Sequence, residues 1–305
     1  MSRAELVSTR DEPQGVLSRP LPGWLNGALV IASLVGIVWL ERKQPLRRRT
    51  EEEPYREARN LAMSVLSATA IRLTEKPIMD RLTHLVQRHR WGLVKRVHLP
   101  PALEIAVAVV LLDYTLYIWH VLTHRVPFLW RFHRVHHADL DLTASTALRF
   151  HFAEMMLSVP WRAGQVLLIG ATPRSLSIWQ TATLIAIVFH HSNLKLPVGV
   201  ERRLCRLVVT PRMHGIHHSI VPDEANANWS TILAVPDYLH GTCRLNVPQQ
   251  DVAIGVPEFR DPDELRLPEI VRMPFGQQRP FWIMPDDGTP ERLALPALPR
   301  CTLAE

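Results

Sequence analysis

Histidines are abundant in this chain of 305 residues, and eight of them stand at repeated spacings. The sequence RFHRVHHA at 131–138 returns as RMHGIHHS at 212–219, with histidines at i, i+3 and i+4 in each copy. His120 and His124 form a third group, at i and i+4. Because residues three and four apart share one face of a helix, each group can present its imidazoles together. Clustered imidazoles are typical ligands of zinc, copper, iron or nickel.

The number of these histidines indicates more than one metal ion. One transition ion in octahedral geometry accepts about six ligands, so eight or nine histidines favour two ions. A carboxylate di-iron bundle would need Glu-x-x-His pairs and a zinc protease H-E-x-x-H, and neither motif occurs in the sequence. The three cysteines are far apart and form no C-x-x-C, which argues against a thiolate site or a disulfide framework. The candidate ligands are His120, His124, His133, His136, His137, His214, His217 and His218.

Long apolar runs are the elements that must position these histidines. Pro20–Leu40 and Ser175–Leu194 carry no charged residue and have about the 20 residues that a membrane-spanning helix needs. A third run, Leu99–Trp119, leads directly into His120 and contains Asp113, which we expect to face protein because a carboxylate in lipid is costly. The spacings of 4, 3 and 4 place Asp113, Tyr117, His120 and His124 on one helical stripe.

The remaining segments suggest a membrane half and a water-facing half. Asn60–Ile71 is a weaker apolar stretch that could form a short second span, and basic Pro77–Pro100 suggests an amphipathic helix on the membrane surface. Phe152–Ala171 and Ser175–His191 predict a helical hairpin that re-enters from the cytoplasmic side. Nine prolines between Asp251 and Glu305 predict an irregular cytoplasmic tail rather than a packed domain.

The positions of the charged residues indicate the orientation of the chain in a membrane and do not favour binding to nucleic acid. The net charge of +6 comes from basic residues that lie beside the apolar runs, where they suit lipid headgroups. The segment ERKQPLRRR at 41–49 has five basic residues and favours a cytoplasmic location for that end of the first span. The first fifteen residues lack the layout of a cleavable signal, so we expect the first span to be retained. The excess of arginine over lysine favours a GC-rich bacterium, hence an inner membrane.

These motifs resemble those of the integral-membrane fatty acid hydroxylase and sterol desaturase superfamily. The resemblance covers roughly Asn60 to Thr242 and rests on the H-x-x-x-H and two H-x-x-H-H motifs. The surrounding sequences DYTLYIWHVLTH, LWRFHRVHH, RFHFAE, FHHSN and TPRMHGIHHS are also similar to the family's pattern. The chain departs from that pattern at Asn228–Ser230 and at Pro236–Thr242, which leaves the substrate class open.

The resemblance implies a cytoplasm-facing di-iron centre that activates dioxygen and hydroxylates or desaturates a lipid. The eight histidines would be ligands, and the family's F-x-H-x-N motif, placed on Phe189 to Asn193, makes His191 the ninth and leaves His190 at a variable position, pointing away from the other histidines to pack or to meet the headgroups. Asp139 and Asp141 are further candidates to orient imidazoles, whereas His151 is expected to support a ligand or to be structural rather than to bind a metal itself. The residues expected to support the reaction are Asp113, Tyr117, Glu154 and Asn193.

The sequence thus predicts an all-α, multi-pass membrane bundle under a cytoplasmic helical cap that carries the dimetal site. We expect an N-terminal segment with the first span at 1–59, the catalytic domain at 60–242 and the proline-rich tail at 243–305. No Gly-x-Gly-x-x-Gly fingerprint or cysteine cluster is present, so electrons must come from a separate donor such as a ferredoxin with its reductase. The alternatives are a histidine-lined metal transporter, a non-catalytic membrane metal-binding protein and a haem-binding electron carrier.

Overall fold

The computed structural model describes residues 15, 17–51, 53–292 and 299–304. Residues 1–14, on which the prediction of a missing cleavable signal rests, lie outside the described residues. Within the described part the chain is helical, and its few β-bridges are isolated pairs that build no sheet. The all-α prediction is therefore confirmed.

In the described part of the chain, seven helices have eleven residues or more and form a bundle, and the other helices are shorter. The long helices are α1 (Gly23–Lys43), α2 (Glu53–Ala70), α3 (Lys76–His89), α4 (Pro101–Arg125), α5 (Pro127–His137), α6 (Phe152–Gln165) and α7 (Pro173–His191). The short ones are α8 (Val198–Leu204), α9 (Pro211–His217), α10 (Pro222–Ala225), α11 (Val235–Leu239) and α12 (Leu267–Arg272). Helix α1 packs along α7, α2 packs along α6, and α4 contacts both α5 and α7.

Two of the described helices, α1 and α4, are long and apolar enough to cross a membrane, by length and composition. The apolar residues of α1 are largely exposed, with Trp24 75 % and Ile31 63 % accessible, as expected for a helix in contact with lipid. The predicted span at Ser175–Leu194 corresponds to α7, which does not meet the same criteria. It packs against α1 and α4 and buries Trp179.

The predicted short span at Asn60–Ile71 is part of a longer helical segment. Helix α2 continues through a π-helix, Ile71–Glu75, into α3, which buries Met79 and Val86 and exposes basic residues, as an amphipathic surface helix should. The helix ends at His89 rather than at Pro100, because Arg90 adopts a left-handed conformation with φ of 54°. Gly92 follows with φ of 98° and lies so close to the backbone of Gly170 that no side chain would fit.

The two arms of the predicted hairpin correspond to α6 and α7, but α6 packs mainly on α2 and α7 mainly on α1 and α4, so the two helices do not pair along their length. A second π-helix, Val166–Gly170, ends the first arm, and Thr172 caps the second by accepting a hydrogen bond from Ser175 N. Pro173 occupies the first turn of α7, where its missing N–H costs nothing. The apolar faces of these two helices pack with those of α3 and α4 into the main core, which includes Met79, Ala108, Leu112, Val159, Leu176 and Trp179.

The segment after residue 243 is mostly without helix, but it is packed. Val256, Leu265 and Ile270 are fully buried and form a second core with Met63 and Trp130. This corrects the expectation of an unpacked tail. The prolines prevent long helices, whereas the apolar residues between them cover α2 and α5.

Candidate metal centre

The predicted ligands all lie where helices end at one side of the bundle. His120 and His124 are in the last turns of α4, and His191 is the last residue of α7. Helix α5 starts at Pro127 and turns its histidines back towards the end of α4. Helix α9, capped by Thr210, brings the second H-x-x-H-H motif against α7.

The nine histidines come together in two groups. Within each group the nearest ring nitrogens lie within 4.8 Å of one another. Adjacent histidines such as His136 and His137 go to different groups, because neighbours on a helix point about 100° apart. Group 1 consists of His120, His124, His133, His137 and His217, and group 2 consists of His136, His191, His214 and His218.

The Nε2 atoms of group 2 converge. His191 Nε2 lies 2.9 Å from His136 Nε2 and 3.0 Å from His214 Nε2, and His214 Nε2 lies 3.2 Å from His218 Nε2. Nitrogens bound to one ion at about 2.1 Å and at right angles would lie about 3.0 Å apart. The spacing of these atoms therefore fits ligands around a common cation.

Oxygen acceptors fix the orientation of several rings. The Nδ1 atoms of His120 and His217 lie 2.8 Å from the carbonyl oxygens of Trp229 and Ala227. His133 Nδ1 lies 2.8 Å from Glu154 Oε1. A ring that donates from Nδ1 keeps the Nε2 lone pair free for a metal, so these contacts select the ligating tautomer.

Other ring nitrogens are buried without a hydrogen-bond partner. Both nitrogens of His124 and of His137 are in this state, and so is Nε2 of His133. Leaving such an atom unpaired costs about 1–3 kcal/mol, which a bound cation would offset. Burial, reinforced by the neighbouring imidazoles, lowers the pKa of His137, His217 and His218 well below its ordinary value. These rings are therefore neutral, as metal ligands must be, and the donor set fits two transition ions.

The residues predicted to support the site act in different ways. Glu154 contacts a histidine directly, as predicted. Asp113 contacts the backbone instead, accepting hydrogen bonds from Ile232 N (3.2 Å) and Leu233 N (3.0 Å). The segment that it holds includes Trp229, whose carbonyl orients His120. Asp113 was expected to contact an imidazole directly. Instead it holds the backbone segment whose Trp229 carbonyl contacts His120, and helical spacing could not predict that arrangement.

Tyr117 and Asn193 also contact structural partners. The hydroxyl of Tyr117 lies 3.1 Å from Thr242 Oγ1. The amide of Asn193 accepts a hydrogen bond from Arg47 N (2.8 Å) and donates one to Arg47 O (2.9 Å). Asn193 thereby ties the end of α7, and with it His191, to the chain that follows α1.

Asp139 and Asp141 do not contact imidazoles in the hydrogen bonds of the described residues. Asp139 pairs with Arg56, with N–O distances of 2.8 and 2.6 Å. Asp141 accepts hydrogen bonds from the N–H groups of Thr50 and Glu51, both at 2.8 Å. These carboxylates anchor the segment after α5 to the start of α2, so the prediction that they orient histidines is wrong.

His190 was expected to face outward, and it is buried. Only 1 % of this residue is accessible, its Nδ1 lies 3.1 Å from Thr231 O, and its ring centroid is 4.0 Å from that of His214. The segment between α10 and α11, which contains Thr231, covers this face of α7, and the pattern of apolar residues did not predict that contact. His151 is structural, as predicted, because it caps α6 by accepting a hydrogen bond from Ala153 N.

A cavity of about 700 Å³ adjoins both groups of histidines and was not foreseen. It extends between α3, α4, α6 and α7, and the lining residues of α7 recur every three or four positions over the whole helix. This stripe was the only signal for the cavity in the sequence. Its metal end is lined by His120, His133, His136, His190, His191 and His214.

The comparisons with known proteins concern the segment that builds this site. A sequence profile described as fatty acid hydroxylase matches residues 105–242, which contain all nine histidines. Ornithine lipid hydroxylase of Rhizobium tropici is 33 % identical over 144 residues, 47 % of this chain and 42 % of that protein. Human cholesterol 25-hydroxylase is 26 % identical over 46 % of this chain and 51 % of its own length.

Alkylglycerol monooxygenase of Danio rerio is 28 % identical over 171 residues, 56 % of this chain and 36 % of that protein. This chain thus spans about half or less of the length of these relatives. No solved structure matches the chain. The segment 105–242 is similar to the fatty acid hydroxylase family, and its histidine motifs are intact and gathered at one end of a helical bundle, which supports the resemblance to that superfamily.

Proposed function

We propose that the protein is a membrane-bound di-iron oxygenase that hydroxylates a lipid. The observation that carries this proposal is the position of two convergent histidine groups beside a large cavity with an apolar lining. Group 1 and group 2 would each hold one iron. The named relatives support the class of reaction, since they are lipid hydroxylases and monooxygenases.

Two bound irons would supply reductive activation of dioxygen. Hydroxylation of one C–H bond converts dioxygen to one hydroxyl oxygen and one water, and consumes two protons and two electrons beyond those of the substrate. Both histidine groups consist of imidazoles and include no cysteine, a donor set that resists oxidation. The extra electrons come from a separate donor such as a ferredoxin with its reductase.

The residues around the site would hold the lipid and keep water out. The histidines that line the cavity would hold the metals in its wall, next to Phe150 and Ile187. A C–H bond of a chain that enters the cavity would therefore be held beside the metals in an apolar environment. Hydroxylation is favoured over desaturation, because the relatives are named as hydroxylases and monooxygenases.

We place the site at the cytoplasmic face of a multi-pass membrane protein. Leu46 N donates to Asn193 O (2.8 Å), so the basic residues after α1 lie at the same end of the bundle as His191. Basic residues beside a span favour the cytoplasm. A metal transporter is disfavoured, because its ligands would be spread through the spans, whereas these histidines gather at one end.

The proposal is tested by iron content and product. Protein made with excess iron and purified in detergent should contain about two irons per chain, since nine histidines exceed the capacity of one ion. Lipid extracts should yield a hydroxylated product only when dioxygen and a reducing system are both present. Comparing the lipids of cells with and without the protein identifies the substrate. A single bound ion, full activity with zinc alone, or turnover without a reductant would contradict the proposal.

Glu154 offers a second test of the metal centre. Glu154→Ala removes the acceptor that orients His133, and loss of such a contact typically lowers metal affinity about 10- to 100-fold. Glu154→Gln keeps an acceptor oxygen and should retain most of the affinity. Iron loss is followed while a chelator is titrated into each protein. Equal iron retention in Glu154→Ala and the unmodified protein would show that this contact does not support the site.

A further inference from the structure

A pair of charged residues lies in the wall of the cavity, away from the histidines. Glu75, the last residue of the first π-helix, faces Arg162 of α6, with 3.2 Å between Glu75 Oε2 and Arg162 Nε. Both residues line the cavity that reaches the metal end. Glu75 is 3 % accessible. A carboxylate at such a buried position is unusual, because burying a charge in an apolar bundle is costly unless the charge is paired and hydrogen-bonded.

Helix geometry separates the pair from the metal end by about 12 Å or more. Arg162 lies eight residues after Glu154 on α6, or about 12 Å along the helix axis. Its guanidinium is 5.4 Å from the centroid of Trp179, which precedes His191 by twelve residues, or about 18 Å along α7. Much of the wall between is apolar, and includes Leu116, Trp119, Phe150, Met155, Leu184 and Ile187.

The pair has unused hydrogen-bonding capacity. Glu75 Oε2 and Arg162 Nε are buried, and neither has a hydrogen-bond partner, since their mutual geometry is that of an ion pair without a hydrogen bond. The indole of Trp179 holds the guanidinium in place by a cation–π contact. A ligand that supplied both a donor to Glu75 and an acceptor to Arg162 would satisfy these atoms.

The local backbone supports a binding role for Glu75. A π-helix is rare and is found frequently at functional sites, and here it ends at the buried carboxylate. Glu75 also lies outside residues 105–242, the segment that the family profile matches. The pair therefore joins an element of the matched domain to an element contributed by the preceding part of this chain.

We propose that Glu75 and Arg162 form a subsite for the head of a zwitterionic lipid that carries an ammonium and an anionic oxygen group. This inference rests on the proposed lipid hydroxylation and names the class of its substrate. The carboxylate accepts hydrogen bonds from the ammonium, and the guanidinium donates to the anionic oxygens. The acyl chain of the lipid then extends through the apolar section towards the histidines.

Four lipids with the same chain length but different head groups test the contribution of each head-group charge to binding. They are Nα-palmitoyl-lysine, which carries both charges, palmitic acid, hexadecylamine and neutral monopalmitoylglycerol. A palmitoyl lysophosphatidylethanolamine distinguishes a phosphate from a carboxylate. Binding to the iron-loaded protein in detergent is measured by the change in tryptophan fluorescence, because Trp119 and Trp179 line the cavity. Product formation is measured in parallel.

The zwitterion should bind about ten- to a hundredfold more tightly than the neutral lipid, as expected for one or two hydrogen bonds to charged groups. Glu75→Gln should remove the preference for ligands with an ammonium, and Arg162→Gln the preference for ligands with an anionic group. Asp263→Asn is the matched control, because Asp263 pairs with Arg266 on the exposed surface, is not among the residues that line the cavity, and should leave both preferences unchanged.

The possible outcomes distinguish failure of the subsite proposal from failure of the proposed hydroxylation. Equal binding of the four lipids by the unmodified protein, or equal weakening of all four in both variants, would overturn the subsite and leave lipid hydroxylation standing. Selective binding of the zwitterion without any product would instead contradict the proposed reaction. If the glutamine variants do not fold, Glu75→Asp and Arg162→Lys keep the charges but shift their positions, and should reduce the preference for the zwitterion.

Discussion

His191→Ala is expected to abolish product formation and to remove about one of the two irons, whereas His190→Gln keeps both irons. His191 Nε2 is the central atom of group 2, 2.9 Å from His136 Nε2 and 3.0 Å from His214 Nε2. Its loss leaves three histidines for that ion. His190 instead directs Nδ1 towards Thr231 O, and glutamine can still donate a hydrogen bond there.

The comparison must allow for the burial of His190. Truncating an outward histidine would change the stability by about 0.5 kcal/mol or less, but His190 is buried, so His190→Ala would cost more. Glutamine limits that cost. Iron per chain and product are measured at matched amounts of folded protein. An inactive, iron-poor His190→Gln beside an active His191→Ala would place the ninth ligand at the neighbouring residue.

The histidine motifs were sufficient to predict which side chains gather, because i, i+3 and i+4 spacing fixes a helical face. All nine residues named from the sequence lie in the two groups. Their division between the groups was not predictable, since it depends on how α4, α5, α7 and α9 meet. The resemblance to F-x-H-x-N selected His191, and only the contacts of Thr231 explain why its neighbour points elsewhere.

The supporting contacts were harder to predict, because many of them involve the backbone. The carbonyls of Ala227 and Trp229 orient His217 and His120, and any residue type has a carbonyl. Asn228, between them, has a positive φ of 56°, and its side chain donates hydrogen bonds to Met213 O and Arg244 O. Such a turn is set by tertiary contacts rather than by the periodicity of apolar residues.

The partners of the buried charged residues near the histidines were also not predicted, because they come from elements that are distant in sequence. Asp139 is fully buried two residues after His137, and it was one of the candidates to orient an imidazole. Its partners come from α2 and from the segment before α6, with Arg56 bidentate at 2.8 and 2.6 Å and Arg149 at 3.3 Å. Although burial alone would raise the pKa of Asp139, these guanidinium groups hold it below its ordinary value.

Asp139→Ala is expected to lower the free energy of unfolding by about 3–5 kcal/mol, because it leaves Arg56 and Arg149 buried without their shared counter-charge. The change is measured by denaturant or thermal unfolding in one detergent, with iron content followed in parallel. Asp263→Ala is the matched control, since its ion pair with Arg266 is about 70 % exposed on both sides and should contribute about 0.5 kcal/mol or less. If both variants unfold alike while Asp139→Ala loses iron, Asp139 would act on the metal centre and not as the anchor between α5 and α2.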